Sequence, residues 1–352
     1  MKNELQPNNF DLLRLLAAFQ VVCGHALLTI AGREHTALAL VLRFFPGVPI
    51  FFFTSGFLIS ASWERLNNVR DFALNRALRI FPGYWLAFLV SLLGILIFYH
   101  GLSFGPRLGL WAAAQLLLLP EWTPSFLKGY GLGAPNGALW TIPVEISFYI
   151  SVPILYWLFR KTGRPTAVLL TVIVLSFGLE FVDFLFHNLK TDFAFKLLAL
   201  TPFPWIGIFA LGILAQRKFD VILPLVQGRF WQFLILYAAL SGVTVLFPFP
   251  PLLSPILNYM GVVNVLALCA LALAFAYTGR DLATRLLRRN DISYGSYLLH
   301  VPIANMLLTA GLSRDNAAIA TLLLIVPIAL LSWFFIEKPA LSLRKHALYR
   351  HG

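Results

Sequence analysis

Residues 10–31 read FDLLRLLAAFQVVCGHALLTIA, an apolar run long enough to cross a hydrocarbon core of about 30 Å, yet it carries Asp11, Arg14 and His25. A secretory leader has a short uncharged core ending in a small-residue cleavage site, so this run is expected to be a mature first span. Comparable runs recur at roughly 41–60, 80–99, 139–159, 166–186, 197–215, 230–249, 255–277, 292–311 and 317–337. With the first, they predict an all-α polytopic membrane protein of about ten transmembrane helices. The apolar stretch 108–120 is read as interfacial or re-entrant. Counting it as a span would put Arg160, Lys161 and Arg164 on the opposite side from Arg65, Arg70, Arg76 and Arg79.

Composition supports the same class. Of 352 residues 59% are hydrophobic and 12% charged, and the mean hydropathy of +0.79 lies outside the soluble range. The apolar runs do not alternate with polar residues, which excludes an outer-membrane barrel. Lys and Arg total 27 against 15 Asp and Glu, an excess that in a soluble protein would suggest nucleic acid. Here the positive-inside rule accounts for it, no nucleic-acid partner is expected, and the sorting of basic residues puts both termini in the cytoplasm. Cys23 and Cys269 both lie in apolar runs, so neither a disulfide framework nor a zinc site is indicated, and no metal is expected. No linker, low-complexity segment or clear repeat is visible. Residues 1–352 therefore read as one transmembrane domain, with 338–352 a short cytoplasmic tail.

Ionisable side chains inside spans are costly unless paired or facing a cavity, so each is a functional candidate. Arg14 and His25 are eleven residues apart and fall within about 20° of one helix face, separated by about 16 Å along the axis. Asp11 joins that stripe. Snorkelling of Asp11 and Arg14 to the cytoplasmic surface, with His25 in a single helix-to-helix hydrogen bond, is the structural alternative. By depth, His25 lies about 22 Å in and Glu145 about 9 Å below the outer surface, which brings an imidazole and a carboxylate to nearly one level. Arg14, Arg76 and Arg79 fall near the cytoplasmic end, where guanidinium groups suit phosphates; plain topology is the alternative for the latter two.

These segments resemble the membrane-bound acyltransferase-3 family of bacterial O-acyltransferases, which acylate surface and exported carbohydrates. NNFDLLRLLAAFQVVCGHALL resembles its opening motif, an arginine and a histidine separated by ten residues, here Arg14 and His25. GVPIFFFTSGFLIS (Gly47 to Ser60) resembles its second-span signature, and NRALRIFPGYW (Asn75 to Trp85) its basic loop, with Arg76 and Arg79 as the arginine pair. NGALWTIPVEISFY (Asn136 to Tyr149), ISYGSYLLHVP (Ile292 to Pro302) and FIEKP (Phe335 to Pro339) resemble three further motifs. Gly24 stands where many members have a polar residue, and Pro143 interrupts the Leu-Trp to Val-Glu stretch. The chain ends soon after its last span and resembles the stand-alone form of the family.

The resemblance implies a multi-pass protein of the bacterial inner membrane that moves an acyl group, commonly acetyl, from cytoplasmic acyl-CoA to a hydroxyl of a glycan or lipid-linked saccharide. His25 is then expected to deprotonate the acceptor, or to carry the acyl group itself, with Glu145 and Asp11 assisting. Arg14, Arg76, Arg79 and His300 are expected at the acyl-CoA site, and Trp140 and Tyr149 at the sugar. For His300 a helix-to-helix contact is the structural alternative, and for Trp140 a place in the interfacial belt. A transporter or flippase for a sugar or anion, using Arg14, His25, Glu145 and Glu337 as a relay, and a non-catalytic scaffold are the competing classes.

Overall fold

The computed structural model describes residues 7–101, 105–186, 201–246, 261–279, 281–288 and 290–349. Among them every regular element is a helix. In chain order these are α1 (Phe10–Gly24), α2 (Ala37–Phe44), α3 (Gly47–Leu66), α4 (Val69–Phe98), α5 (Pro106–Leu116), α6 (Thr141–Thr162), α7 (Pro165–Phe186) and α8 (Ile206–Arg217). There follow α9 (Phe219–Val226), α10 (Phe230–Leu246), α11 (Val262–Ala276), α12 (Leu282–Leu287), α13 (Ser293–Thr309), α14 (Arg314–Ser332) and α15 (Lys338–Tyr349).

Among the described residues five helical stretches are long and apolar enough to cross a membrane: Phe10–Ile30, Ala37–Leu66, Val69–Phe98, Gly137–Thr162 and Arg314–Leu343. Counting Phe219–Val226 and Phe230–Val243, bent by 85°, as one broken span makes six. The chain is a multi-pass membrane protein. The expected spans at 197–215, 230–249 and 255–277 run partly outside the described residues. In the apolar stretch 108–120 the helix α5 has 11 residues, about 16 Å of rise, too short to cross. Of the tail expected at 338–352, residues 338–349 are helical and 350–352 lie outside the described residues.

The chain divides into two compact units, each assembled from separated segments. The first comprises residues 1–17, 44–72 and 144–289, the second 18–43, 73–143 and 290–352.

In the first unit α3 and α8 cross at glycines. A Cβ on Gly56 would lie 2.0 Å from the Phe209 carbonyl oxygen, and one on Gly212 2.1 Å from that of Phe53, so only hydrogen fits between the backbones. Without a hydrophobic effect between helices in lipid, such close approach of small residues is what gives packing its strength. Beside it Ser60 donates to Gln216 at 2.9 Å, and Tyr156 and Gln216 both donate to Glu64, which also pairs with Arg217. Asn9, almost wholly buried, donates to the Thr278 and Gly279 carbonyls and accepts from the Ala283 amide, fastening the start of α1 to the turn between α11 and α12. Phe10, Phe57, Phe219 and Tyr277 pack together above it, with neighbouring centroids 5.0–5.8 Å apart.

In the second unit α13 packs along α14 and carries the polar side chains that position everything else. Tyr294 donates to the Ile80 carbonyl on α4, and Tyr297 to the Ala138 carbonyl in the 3-10 turn Gly137–Trp140. Asn305, 0% exposed, accepts from the Leu132 amide and donates to the Ala134 and Pro135 carbonyls. Asn136 reaches back to the Leu298 carbonyl at 2.9 Å. The loop before α6 is thus bound to one helix by buried hydrogen bonds. Pro143 falls in the first turn of α6, where no backbone donor is needed, and the helix starts straight through it.

The basic stretch Asn75–Trp85 was expected to form a loop; it is helix, part of α4, which holds Pro82 inside it. Ala, Leu and Arg between residues 73 and 79 are strong helix formers, and this local preference extends the helix well before the expected start near residue 80.

Candidate active site

His25 stands where α1 changes character. From His25 to Ile30 the backbone widens into a π turn, closed by the Ala31 amide on the Ala26 carbonyl at 2.9 Å. Such turns are uncommon and recur at functional sites. Ala26 and Ile30 within it bury against Ala304, Ala317 and Ala318, so the turn is fixed by packing while His25 itself stays only half-buried.

The side chain of His25 meets His300 of α13. Nδ1 of His25 lies 2.7 Å from Nε2 of His300, and the ring centroids are 5.0 Å apart, so the imidazoles meet edge to edge. His300 is 0% exposed, and its Nδ1 lies 3.2 Å from the Ser296 carbonyl one turn earlier. Sequence reasoning assigned His300 to the acyl-donor channel and looked to Glu145 as the partner of His25. The pairing of two histidines 275 residues apart had no signal in local spacing.

Lower on α13 a second polar group forms. Arg79 of α4 donates to the Asp291 carboxylate and lies 5.6 Å from the centre of the Tyr294 ring. Asp291 is also bound by the Ser293 amide and hydroxyl, at 3.1 and 2.5 Å. Arg76, three residues before Arg79 on the same helix, is half-buried. From Tyr294 to His300 is six residues, about 9 Å of helical rise. The arginine cluster and the histidine pair are therefore linked by a single rigid helix. Beside Gly295, in the first turn of α13, Glu337 is buried in a second π turn, Trp333–Glu337, where it accepts from Ser332 at 2.7 Å.

Of the remaining expected residues, Trp140 belongs to the second unit and is half-buried at the close of the 3-10 turn. Asp11, Arg14, Glu145 and Tyr149 belong to the first unit. Asp11 is exposed and Arg14 half-buried on α1. Glu145 accepts a hydrogen bond from Tyr149 one turn along α6. Among the described residues no group of three or more His, Cys, Asp or Glu is gathered as a metal would require.

Residues 8–337 match the family described as an acyltransferase domain. "Nodulation protein 10" of Rhizobium leguminosarum bv. viciae is 30% identical over 365 residues, covering 97% of this chain and 95% of that one. "Peptidoglycan O-acetyltransferase OatA" of Listeria monocytogenes is 24% identical across 94% of this chain and 55% of its own length. An "O-acetyl transferase" of Shigella phage Sf6 is 23% identical, covering 96% of this chain and 97% of that one. No solved structure matches.

Proposed function

This chain belongs to the acyltransferase-3 family, and from that premise we propose that it transfers an acyl group, most simply acetyl, from cytoplasmic acyl-CoA to a hydroxyl of an exported glycan. The observation that carries the proposal is His25: a half-buried imidazole held at one edge by a buried partner in a helix turn fixed by packing. An imidazole takes and returns a proton near neutrality, which is what activation of a sugar hydroxyl needs. The acceptor class follows the relatives named as O-acetyltransferases, one of them for peptidoglycan.

Arg14, Arg76 and Arg79 bind the donor phosphates in this reading, because guanidinium groups match phosphate oxygens in pairs. The short run of α13 from the Arg79 and Tyr294 contact to His300 supports it, since one ligand can lie along the helix from a phosphate end to a reacting end. With His25 Nδ1 occupied by His300, Glu145 and Tyr149 are left to orient the acceptor sugar, and Trp140 to stack on its ring. Ten spans, cytoplasmic termini and an inner-membrane location complete the proposal, placing the basic ends of the helices on the side where acyl-CoA is made.

The test is direct. Membranes holding the full chain are given labelled acetyl-CoA and an extract of the host's lipid-linked saccharides. Label bound covalently to carbohydrate is the expected result; a carbohydrate or anion flux without covalent label would replace the enzyme with a carrier.

A further inference from the structure

The two contacts of His300, with the Ser296 carbonyl and with His25, determine which nitrogen of His25 is free to act. The Ser296 carbonyl can only accept, so His300 Nδ1, 3.2 Å away, carries a proton and donates it. A neutral imidazole has one donor and one acceptor nitrogen, so His300 Nε2 presents a lone pair. That lone pair lies 2.7 Å from His25 Nδ1, which must therefore be the donor of the bond. The proton of neutral His25 is thereby on Nδ1, and its lone pair is on Nε2, the nitrogen turned away from His300.

We propose that His300 is a positioning residue that sets the tautomer of His25, taking the place that a carboxylate holds beside the histidine of a serine hydrolase triad. The inference rests on the assignment of His25 to the chemistry. It replaces the expectation that His300 binds the acyl donor.

The proton balance is closed without moving a proton beyond His25. As the acceptor hydroxyl attacks the thioester, its proton passes to His25 Nε2, and the imidazolium keeps its Nδ1 proton in the bond to His300. The new ester bond forms as the carbon–sulfur bond breaks, and the Nε2 proton leaves with the thiolate as CoA thiol. His300 remains neutral throughout, its Nδ1 proton held by a backbone carbonyl that cannot take it. A neutral acceptor fits this site. A carboxylate at a position 0% exposed would carry a large desolvation cost in the resting state, and an imidazole does not.

Three variants of the full chain in membranes separate the possibilities. His25→Ala is expected to abolish transfer. His300→Leu removes the acceptor and is expected to lower kcat about a hundredfold with the acetyl-CoA KM unchanged, on the scale seen when a partner orienting a histidine is lost. His300→Gln restores an acceptor oxygen near the position of Nε2 but cannot titrate, and is expected to recover at least about tenfold of that loss. An undiminished kcat in His300→Leu, or Leu and Gln variants alike in a raised acetyl-CoA KM, overturns the proposal and returns His300 to the donor site. Full activity in His25→Ala instead overturns the mechanism on which it rests. Should His300→Leu not accumulate, 15N-histidine NMR of the unsubstituted protein decides: the signal lost in His25→Ala must be that of a ring with Nδ1 protonated and Nε2 bare. The opposite tautomer sinks the proposal.

Discussion

Arg79 and Asp291 form an ion pair that is nearly enclosed, their side chains 15% and 11% exposed, with the Tyr294 ring on one side of the guanidinium. Arg79 therefore holds α4 to the start of α13 before any ligand arrives. Arg79→Ala leaves a largely buried carboxylate without its partner and is expected to cost about 3 kcal/mol, read as a lower unfolding temperature in detergent. Arg76→Ala and Arg14→Ala are expected to raise the acetyl-CoA KM severalfold. Arg79→Lys should recover part of the loss, keeping the charge and losing the fork. Unaltered stability in Arg79→Ala would assign that arginine to the ligand alone.

His25→Ala is expected to fold and insert normally while losing transfer, its kcat falling well beyond the hundredfold expected of His300→Leu and toward about ten-thousandfold, the upper range for loss of a general base. His25→Gln should not rescue it, because an amide does not accept a hydroxyl proton at neutral pH. Product formation in the linear assay, normalised to inserted protein, checks both. Turnover at the original rate in either variant would remove His25 from the chemistry.

Glu145→Gln is expected to lower kcat more than it raises the acetyl-CoA KM, since the carboxylate is assigned to the acceptor. Tyr149→Phe removes the hydroxyl that bonds Glu145 and should show the same pattern in milder form, within about tenfold. A defect confined to the acetyl-CoA KM would move Glu145 to the donor.

Gly56→Ala and Gly212→Ala are each expected to destabilise the first unit by about 1–3 kcal/mol or more, because the added methyl meets backbone, which cannot rotate away. Gly109→Ala on α5 has nothing within 4 Å of the new atom and should be neutral or stabilising by up to about 1 kcal/mol. Thermal unfolding of the three proteins in one detergent compares them. A loss at Gly109 equal to that at Gly56 would show that the close crossing is not the cause.

The helical class was legible because the signal is compositional: apolar runs of span length survive any uncertainty about their ends. The extension of α4 back to Val69 was not, because charges at Arg70, Arg76 and Arg79 ended the apolar run before the helix itself ended. For the site, the spacing of Arg14 and His25 singled out the histidine to which the chemistry is assigned but said nothing of what it touches. His300, Asn305 and Asn136 do their work through hydrogen bonds that join residues well over a hundred positions apart, and no periodicity along one helix encodes such a pair. The eight-residue string SYGSYLLH shows one side of the problem. Its Tyr294, Tyr297 and His300 recur at helical spacing, yet each answers a different element.

The π turn after His25 restricts how this segment can vary in length. Removing one residue between Ala26 and Ile30 would return the backbone to a regular α-helix, locally the more comfortable conformation. The same deletion would rotate everything beyond it by about 100° and withdraw it by about 1.5 Å. Ile30 would then swing out of the alanine-lined seat made by Ala304, Ala317 and Ala318, and Arg33 would lose its two-point contact with Asp315. An insertion would err in the other direction. Beyond His25 itself, substitutions can accumulate in this turn, but insertions and deletions are expected to be excluded from it, making it a fixed ruler between the histidine and the next loop.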